Sequence, residues 1–282
     1  MGASDLANRG KQRQRQAQLM RSMSWQPGMP LTEAEERLLR PLREAARTLG
    51  RTPVYREVTE ALQIKAHFRT WNLAIQAAGL PALTSPEQTQ IRALECEREK
   101  CGKALAFARA QGFCAAVIDT SEIVFDSSFR RYCAENLCGQ YGANHSCPPN
   151  CGSFTAMQRI VTGYRKALVV QSQWELSDWN DFDSINRAQQ AHTAAMLRIA
   201  DCMHRVQSMG RMCGVGSCNL CEVCTRTTGE PCRHPDKALA SCLSAYCINV
   251  QKLAQTAGMD YVWGGKRLYL YGMILIGGRG KK

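Results

Sequence analysis

Apolar residues recur every three to four positions along some stretches of this chain and run almost unbroken along others, a contrast that predicts both helices and strands. Phe68, Trp71, Ile75 and Ala78 keep helical spacing and predict a helix over about 66–78, stopped by Gly79. Ile185, Ala188, Ala195, Leu197 and Met203 do the same over about 183–208. A helix over 91–111 leads into the short apolar run Ala115-Ala-Val-Ile-Asp119, read as a strand. Ala167-Leu-Val-Val-Gln-Ser reads as a second strand, and Arg267-Leu-Tyr-Leu-Tyr-Gly-Met-Ile-Leu-Ile as a strand or hairpin. Helices and strands therefore mix over 91–282, which gives an α/β or α+β domain.

Ahead of it, local stop and start signals mark out a smaller unit. Thr32 with Glu35 forms a capping-box pattern and starts a helix, Pro41 interrupts it, and Gly50 ends it. Thr52 followed by Pro53 starts a second helix, to about Leu62. With the helix over 66–78, residues 31–80 read as a small three-helix module of helix-turn-helix size. Residues 1–30, rich in Gln and Arg and without apolar periodicity, read as a disordered basic tail. Residues 81–90 read as a linker.

The cysteines change this picture from a fold to a chemistry. There are 15 of them, and eight fall into two tight groups. Cys133-x4-Cys138-x8-Cys147-x3-Cys151 encloses Gly139, Gly142 and Pro148-Pro149. Several thiolates must converge from one tight loop to hold a metal, and glycines let the backbone turn and bring its N–H groups close to the sulfurs. Cys218-x2-Cys221-x2-Cys224-x7-Cys232 has the three-residue steps that wrap a 4Fe–4S cubane, with a later fourth cysteine. Zinc more often takes paired Cys-x2-Cys knuckles. The eight residues are therefore read as ligands of two 4Fe–4S clusters, with zinc as the alternative, most open for the first group. Cys213, Cys242 and Cys247 are left as alternative ligands, redox thiols or core residues. Cys96, Cys101, Cys114 and Cys202 are read as small packing residues. His145, His204 and His234 are weak candidates, and His234 is expected to support a centre rather than ligate it.

Charge adds less than its size suggests. The net charge is +12, but Arg9, Lys11, Arg13, Arg15, Arg21, Arg279, Lys281 and Lys282 concentrate much of it at the two ends. Basic ends bind nucleic acid or anionic surfaces non-specifically, or serve solubility. No apolar run reaches membrane-spanning length, and residues 1–18 lack the apolar stretch of a secretory signal. Many clustered cysteines without such a signal argue for metal rather than disulfides. The expectation is a cytoplasmic protein with no membrane partner.

Two resemblances follow from particular residues. Leu49-Gly-Arg-Thr-Pro-Val, then Phe68-Arg-Thr-Trp and Ala77-Ala-Gly-Leu80, resembles the short homing-endonuclease-associated repeat. The resemblance implies a nucleic-acid-binding helical unit, with Arg51, Arg56, Lys65 and Arg69 as phosphate contacts. The bland reading is a docking module with Trp71 in its core. Residues 95–278 resemble an uncharacterised family known only as "predicted metal-binding protein". The resemblance rests on Ala116-Val-Ile-Asp-Thr, Val124-Phe-Asp-Ser-Ser-Phe-Arg-Arg-Tyr-Cys, Cys138-Gly-Gln-Tyr-Gly-Ala-Asn-His-Ser-Cys-Pro-Pro-Asn-Cys-Gly152, Cys218-Asn-Leu-Cys-Glu-Val-Cys, Pro231-Cys-Arg-His-Pro and Ser241-Cys-Leu-Ser-Ala-Tyr-Cys-Ile-Asn-Val. It implies metal or iron–sulfur binding by the matching cysteines and no assigned reaction. In that family the position of Cys247 is often Gly.

The leading functional reading is thus a two-cluster iron–sulfur protein passing electrons to a partner protein or small-molecule substrate, as a redox enzyme or its electron-transfer partner. A second is catalysis by a centre with an open coordination position. A third joins the two domains, with the repeat bringing a redox sensor or modification factor to DNA or RNA. A zinc-binding structural or interaction protein is the remaining alternative.

Overall fold

The computed structural model describes residues 25–205, 209–218, 220–235, 240–262 and 264–277. The chain divides into two compact units, 1–93 and 94–282. Most of the expected basic tail, the end of the helix expected to reach 208, and the glycine-rich terminus lie outside the described residues.

In the first unit, Thr32 caps α1 (Glu33–Leu49). Its Oγ1 accepts the Glu35 N–H at 3.3 Å, and the Glu35 carboxylate accepts the Thr32 N–H at 2.8 Å. Pro41 does not interrupt α1. The missing N–H and ring clash cost about 3 kcal/mol, offset by the complete burial of Leu39 and Leu42 on the helix's inner face. Gly50 ends the helix at φ 65.

The expected helix from Thr52 to Leu62 is absent. Tyr55–Glu57 makes a single 3-10 turn, because the Glu57 carboxylate folds back onto the Val54 N–H at 2.8 Å and Val58 is extended. The helix expected over 66–78 is also split. α2 (Ala61–Phe68) stops at Arg69, whose φ is 68, and α3 (Trp71–Ala77) restarts with Thr70 as its cap. Residues 31–80 thus hold three α-helices, with the second and third at other bounds than the sequence suggested. Leu39, Leu42, Ile64, Phe68 and Ala74 form the core, joined by Trp25. The Trp25 ring meets Phe68 edge-on at 6.0 Å, and its indole N–H donates to the Met29 carbonyl at 2.9 Å. Residues 25–30, expected to belong to the disordered tail, are instead held to this core by the buried Trp25 ring.

Residues 85–90, expected as linker, are the first turns of α4 (Ser85–Ala110). A second capping box explains it: the Thr84 N–H donates to the Glu87 carboxylate at 2.7 Å and Thr84 Oγ1 accepts the Glu87 N–H at 3.5 Å.

The second unit is built on β1 (Cys114–Asp119), β2 (Lys166–Glu175), β3 (Met209–Gly214), β4 (Ala240–Cys242) and β5 (Arg267–Ile276), in the order β1-β2-β5-β3-β4. β1–β2, β2–β5 and β5–β3 pair antiparallel and β3–β4 parallel, so of the two expected classes the fold is α+β. The C-terminal run is one strand, not a hairpin. Along β2 and β5 neighbouring residues point to opposite faces, and both faces are buried. Ala167, Val169, Met273 and Leu275 face one core with Met157 and Val161 of α6 (Phe154–Thr162) and Leu253 and Ala254 of α8 (Val250–Thr256). Leu168, Val170, Ile274 and Ile276 face the other, with Ala104 and Ala108 of α4 and Met196, Ile199 and Met203 of α7 (Phe182–Arg205). Burial on both sides is why these strands read as continuous apolar runs rather than alternating ones.

Two cysteines read as packing residues, Cys96 and Cys114, are exposed, while Cys101 and Cys202 are half-buried. The second core also encloses His192, 1 % exposed. Its Nδ1 lies 2.7 Å from Ser172 Oγ, Phe113 packs edge-on against the ring, and Nε2 has no partner. Burial pushes its pKa down to about 4. The folded state thus holds a neutral imidazole, and its contribution is complete above pH 6.5 and declines as pH falls toward 4, because the unfolded chain takes up the proton first. The expected slope is about 1.4 kcal/mol per pH unit. In urea titrations, wild type should lose stability relative to His192→Gln on going from pH 6.5 to 4.5; a constant difference between the two would disprove it.

Candidate metal centres

Both cysteine groups lie in the second unit, on loops the sheet positions. Cys133 is carried by α5 (Arg130–Ala134), and the chain then turns repeatedly through Cys138 to Cys151. Gly139, Gly142 and Gly152 take φ of 69, 73 and 108, a region costly for side-chain-bearing residues. Gly142 N–H donates to the Pro148 carbonyl at 2.8 Å and Cys151 N–H to the Cys147 carbonyl at 3.0 Å, closing the loop on itself. The Pro148–Pro149 peptide is cis.

The thiols of this loop share one neighbourhood. Burial pushes the Cys133 thiol up, Arg130 beside it works the other way, and Cys138, Cys151 and Cys247 add to the rise. Burial also pushes Cys147 up, partly offset by the side chains of Asn144 and Ser146, with Cys138 and Cys151 adding to it.

The second set behaves likewise. Burial raises the Cys218 thiol, the Leu220 amide offsets part of this, and Cys232, Cys221 and Cys224 raise it further. Cys224 leads into the 3-10 turn Thr225–Thr228, and its carbonyl accepts the Thr227 N–H at 3.1 Å. The His234 amide N–H donates to Cys232 Sγ at 3.4 Å. His234 thus meets the set through its backbone, an N–H···S contact of the kind that tunes thiolate centres.

Sequence reasoning missed the bridge between the two loops. Ser146 Oγ accepts the Cys218 N–H at 3.0 Å and donates to Asn144 Oδ1 at 2.7 Å. Beside it, His145 Nε2 meets the Glu230 carbonyl at 3.0 Å. Asn144 is 2 % exposed and also accepts the Ser146 N–H at 3.0 Å. A Ser between His145 and Cys147, two residues after Asn144, was the available signal. Ser146→Ala leaves the Cys218 N–H without its acceptor and should cost about 1–3 kcal/mol. It should also perturb the spectra of both centres, and perturbation of neither would show that the contact couples nothing. His204 lies in α7, with its side chain outside the described residues.

Arg130 also stands at the first loop. Its Nη2 donates to the Gly152 carbonyl and to Met157 Sδ, each at 2.9 Å, and its Nε is buried without a hydrogen-bond partner. Cys247, in the same neighbourhood, has φ 59, a conformation glycine adopts readily. Burial pushes its thiol up and Arg130 partly offsets this.

Among the described residues no three His, Cys, Asp or Glu side chains converge at metal-ligand spacing. None of the fifteen cysteines is in a disulfide. The donor sets are nevertheless rich in the soft sulfur that thiophilic metals take, with four cysteines in each sequence group. Binding would draw them together and displace their protons.

In the first unit, the proposed phosphate contacts separate. Arg51 forks onto Glu57, with Nη1–Oε2 at 2.8 Å and Nη2–Oε1 at 2.6 Å, bracing the turn after α1. Arg56, Lys65 and Arg69 are exposed, Lys65 lying over the Tyr55 ring at 5.5 Å. Trp71 is half-buried against Tyr55. Among the described residues, no helix is long and apolar enough to cross a membrane.

Comparison with known proteins finds two family models. One, described as predicted metal-binding protein, matches residues 116–276, more than half of the chain. The other, described as homing endonuclease associated repeat, matches residues 33–81. No curated protein and no solved structure matches.

Proposed function

This chain belongs to the family described as predicted metal-binding protein, and on that premise we propose that it holds two thiolate-bound 4Fe–4S clusters and serves in electron transfer. The proposed ligands are Cys133, Cys138, Cys147 and Cys151 for one centre and Cys218, Cys221, Cys224 and Cys232 for the other. The observation that carries this is the spacing of the two cysteine groups inside the residues that match the metal-binding family. The Cys-x2-Cys-x2-Cys step favours iron–sulfur over zinc at the second centre. When bound, the clusters would supply one-electron chemistry. The chain itself supplies N–H donors to sulfur, the half-buried Arg130 guanidinium acting on Cys133 and Cys247, and the Ser146 link between the loops.

The test is iron, acid-labile sulfide and zinc content, with a visible spectrum, on protein purified without oxygen. About eight iron and eight sulfide per chain, with a brown absorbance bleached by dithionite, is the expected result. A colourless protein with zinc and no sulfide would overturn it in favour of structural zinc sites.

A second reading is favoured by the repeat at residues 33–81. In it, the first unit brings the metal-binding unit to DNA or RNA through Arg56, Lys65 and Arg69. Salt-dependent binding to a duplex or tRNA, lost on deleting residues 1–85, is its expected signature; metal-loaded protein that binds neither nucleic acid at low salt would exclude it.

A further inference from the structure

We propose that Arg130 is a positioning residue of the first centre: its guanidinium ties together the two arms of the loop from Cys133 to Cys151 and keeps one buried N–H for a metal-bound sulfur. The inference rests on the reading that this loop binds metal, and goes beyond it in giving a role to a residue that is not a ligand.

Arg130 opens α5, and Cys133 stands one turn later on the same helix. Side chains three residues apart share a helix face. From that face the Arg130 side chain crosses to the far end of the loop. Its Nη2 donates to the Gly152 carbonyl and to Met157 Sδ, each at 2.9 Å. Gly152 follows Cys151 directly, and Met157 is a buried residue of α6. One side chain thus joins the helix of the first cysteine to the peptide after the last.

Both ends are also fixed without it. Before α5, the Asp126 N–H donates to the Cys247 carbonyl at 2.7 Å, the Asn249 N–H to the Val124 carbonyl at 2.9 Å, and Phe125 bridges Ile248. After the loop, Ser153 Oγ accepts the Ala156 N–H at 3.2 Å and caps α6, whose Met157 and Val161 are buried in the core with Leu253. Arg130 therefore spans two anchored segments.

Two observations make this contact more than a brace. The Gly152 oxygen lies 3.9 Å from Cys151 Sγ. A thiol tolerates a carbonyl oxygen there, because its S–H can donate to it, whereas a thiolate has no proton to give and is repelled. A guanidinium on that oxygen offsets the repulsion, and Arg stays charged throughout. Secondly, Arg130 Nε is buried and has no hydrogen-bond partner. Buried N–H groups ordinarily find an acceptor, and the sulfurs of metal centres accept N–H hydrogen bonds. The unspent donor and the sulfurs of the loop are complementary.

Zinc affinity and the Arg130 N–H signal test this, with zinc(II) as a thiophilic probe. Arg130→Gln should weaken zinc binding at one of the two centres by roughly 10–100-fold, read by competition with a chromophoric chelator, and leave the other unchanged. Arg130→Lys should recover part of the loss, because it restores the charge without the Nε donor. In a folded Arg130→Gln protein, unchanged affinity at both centres would overturn the assignment. Equal weakening at both would also overturn it, by marking Arg130 as a general support of the fold. In unmutated protein, proton–nitrogen correlation spectra should show the Arg130 Nε–H shifted and exchanging more slowly with water once zinc is loaded. An unmoved signal would overturn the assignment, and this measurement decides the matter even where Arg130→Gln fails to fold. Wild-type protein that takes up neither zinc nor iron would instead overturn the reading beneath it.

Discussion

Gly272→Ala should destabilise the second unit by about 3 kcal/mol, the upper part of the range for overpacking a tight core. Gly272 lies on β5, where it pairs with Val170. A Cβ built there would stand 2.1 Å from Met196 Sδ, 2.5 Å from Met196 Cε and 3.2 Å from His192 Nε2. Met196 has no exposed surface, so its thioether cannot swing into solvent. α7 therefore lies directly on the strand at this point, an approach that only a residue without a side chain permits. Denaturant unfolding of the variant measures the cost, and a loss under 0.5 kcal/mol would show that α7 simply shifts. Met196→Ala added to Gly272→Ala should recover part of the loss, because the two changes act on the same space and are not additive.

Cys221→Ser should remove the second centre and leave the first, lowering total metal to about half if the two centres are alike. The reason is spacing: Cys218, Cys221 and Cys224 come at three-residue steps, the spacing that wraps a cubane. Serine matches the size of cysteine but offers a hard, high-pKa oxygen in place of a soft thiolate. Metal analysis with sulfide determination reads the result directly. Cys96→Ser is the matched control, because Cys96 is exposed on α4. Unchanged metal in Cys221→Ser would remove that residue from the ligand set.

Both substitutions probe features with different origins. The second cysteine group stands out because its members are close in sequence: a short loop leaves the three sulfurs little freedom to be elsewhere. The strands over 114–119, 166–175 and 267–276 were legible for a related reason, since apolar residues on both faces of a strand leave a continuous run. The capping box at Thr32 was equally local, and it formed as expected.

Local signals failed where a competing contact decided the outcome. The Thr52-Pro53 start was overridden by Glu57, which turns back to Val54 and pairs with Arg51. The third helix broke at Arg69, where no glycine or proline marks a stop. Pro41 should have interrupted α1 and did not, because burial of Leu39 and Leu42 outweighs one missing hydrogen bond. At Thr84 the signal was present, a Thr followed three residues later by Glu, but the surrounding Pro and Ser masked it.

By itself, then, the sequence determined the two loop cysteine groups, the apolar strands and the first helix cap, because each depends on residues within a few positions of one another. Only the tertiary structure decided the α+β arrangement and the contact of α7 with Gly272. It also decided the Ser146 link from one cysteine loop to the other. Those depend on strand order and on which faces are buried together. Such long-range pairings arise from packing the whole domain, and no local spacing encodes them.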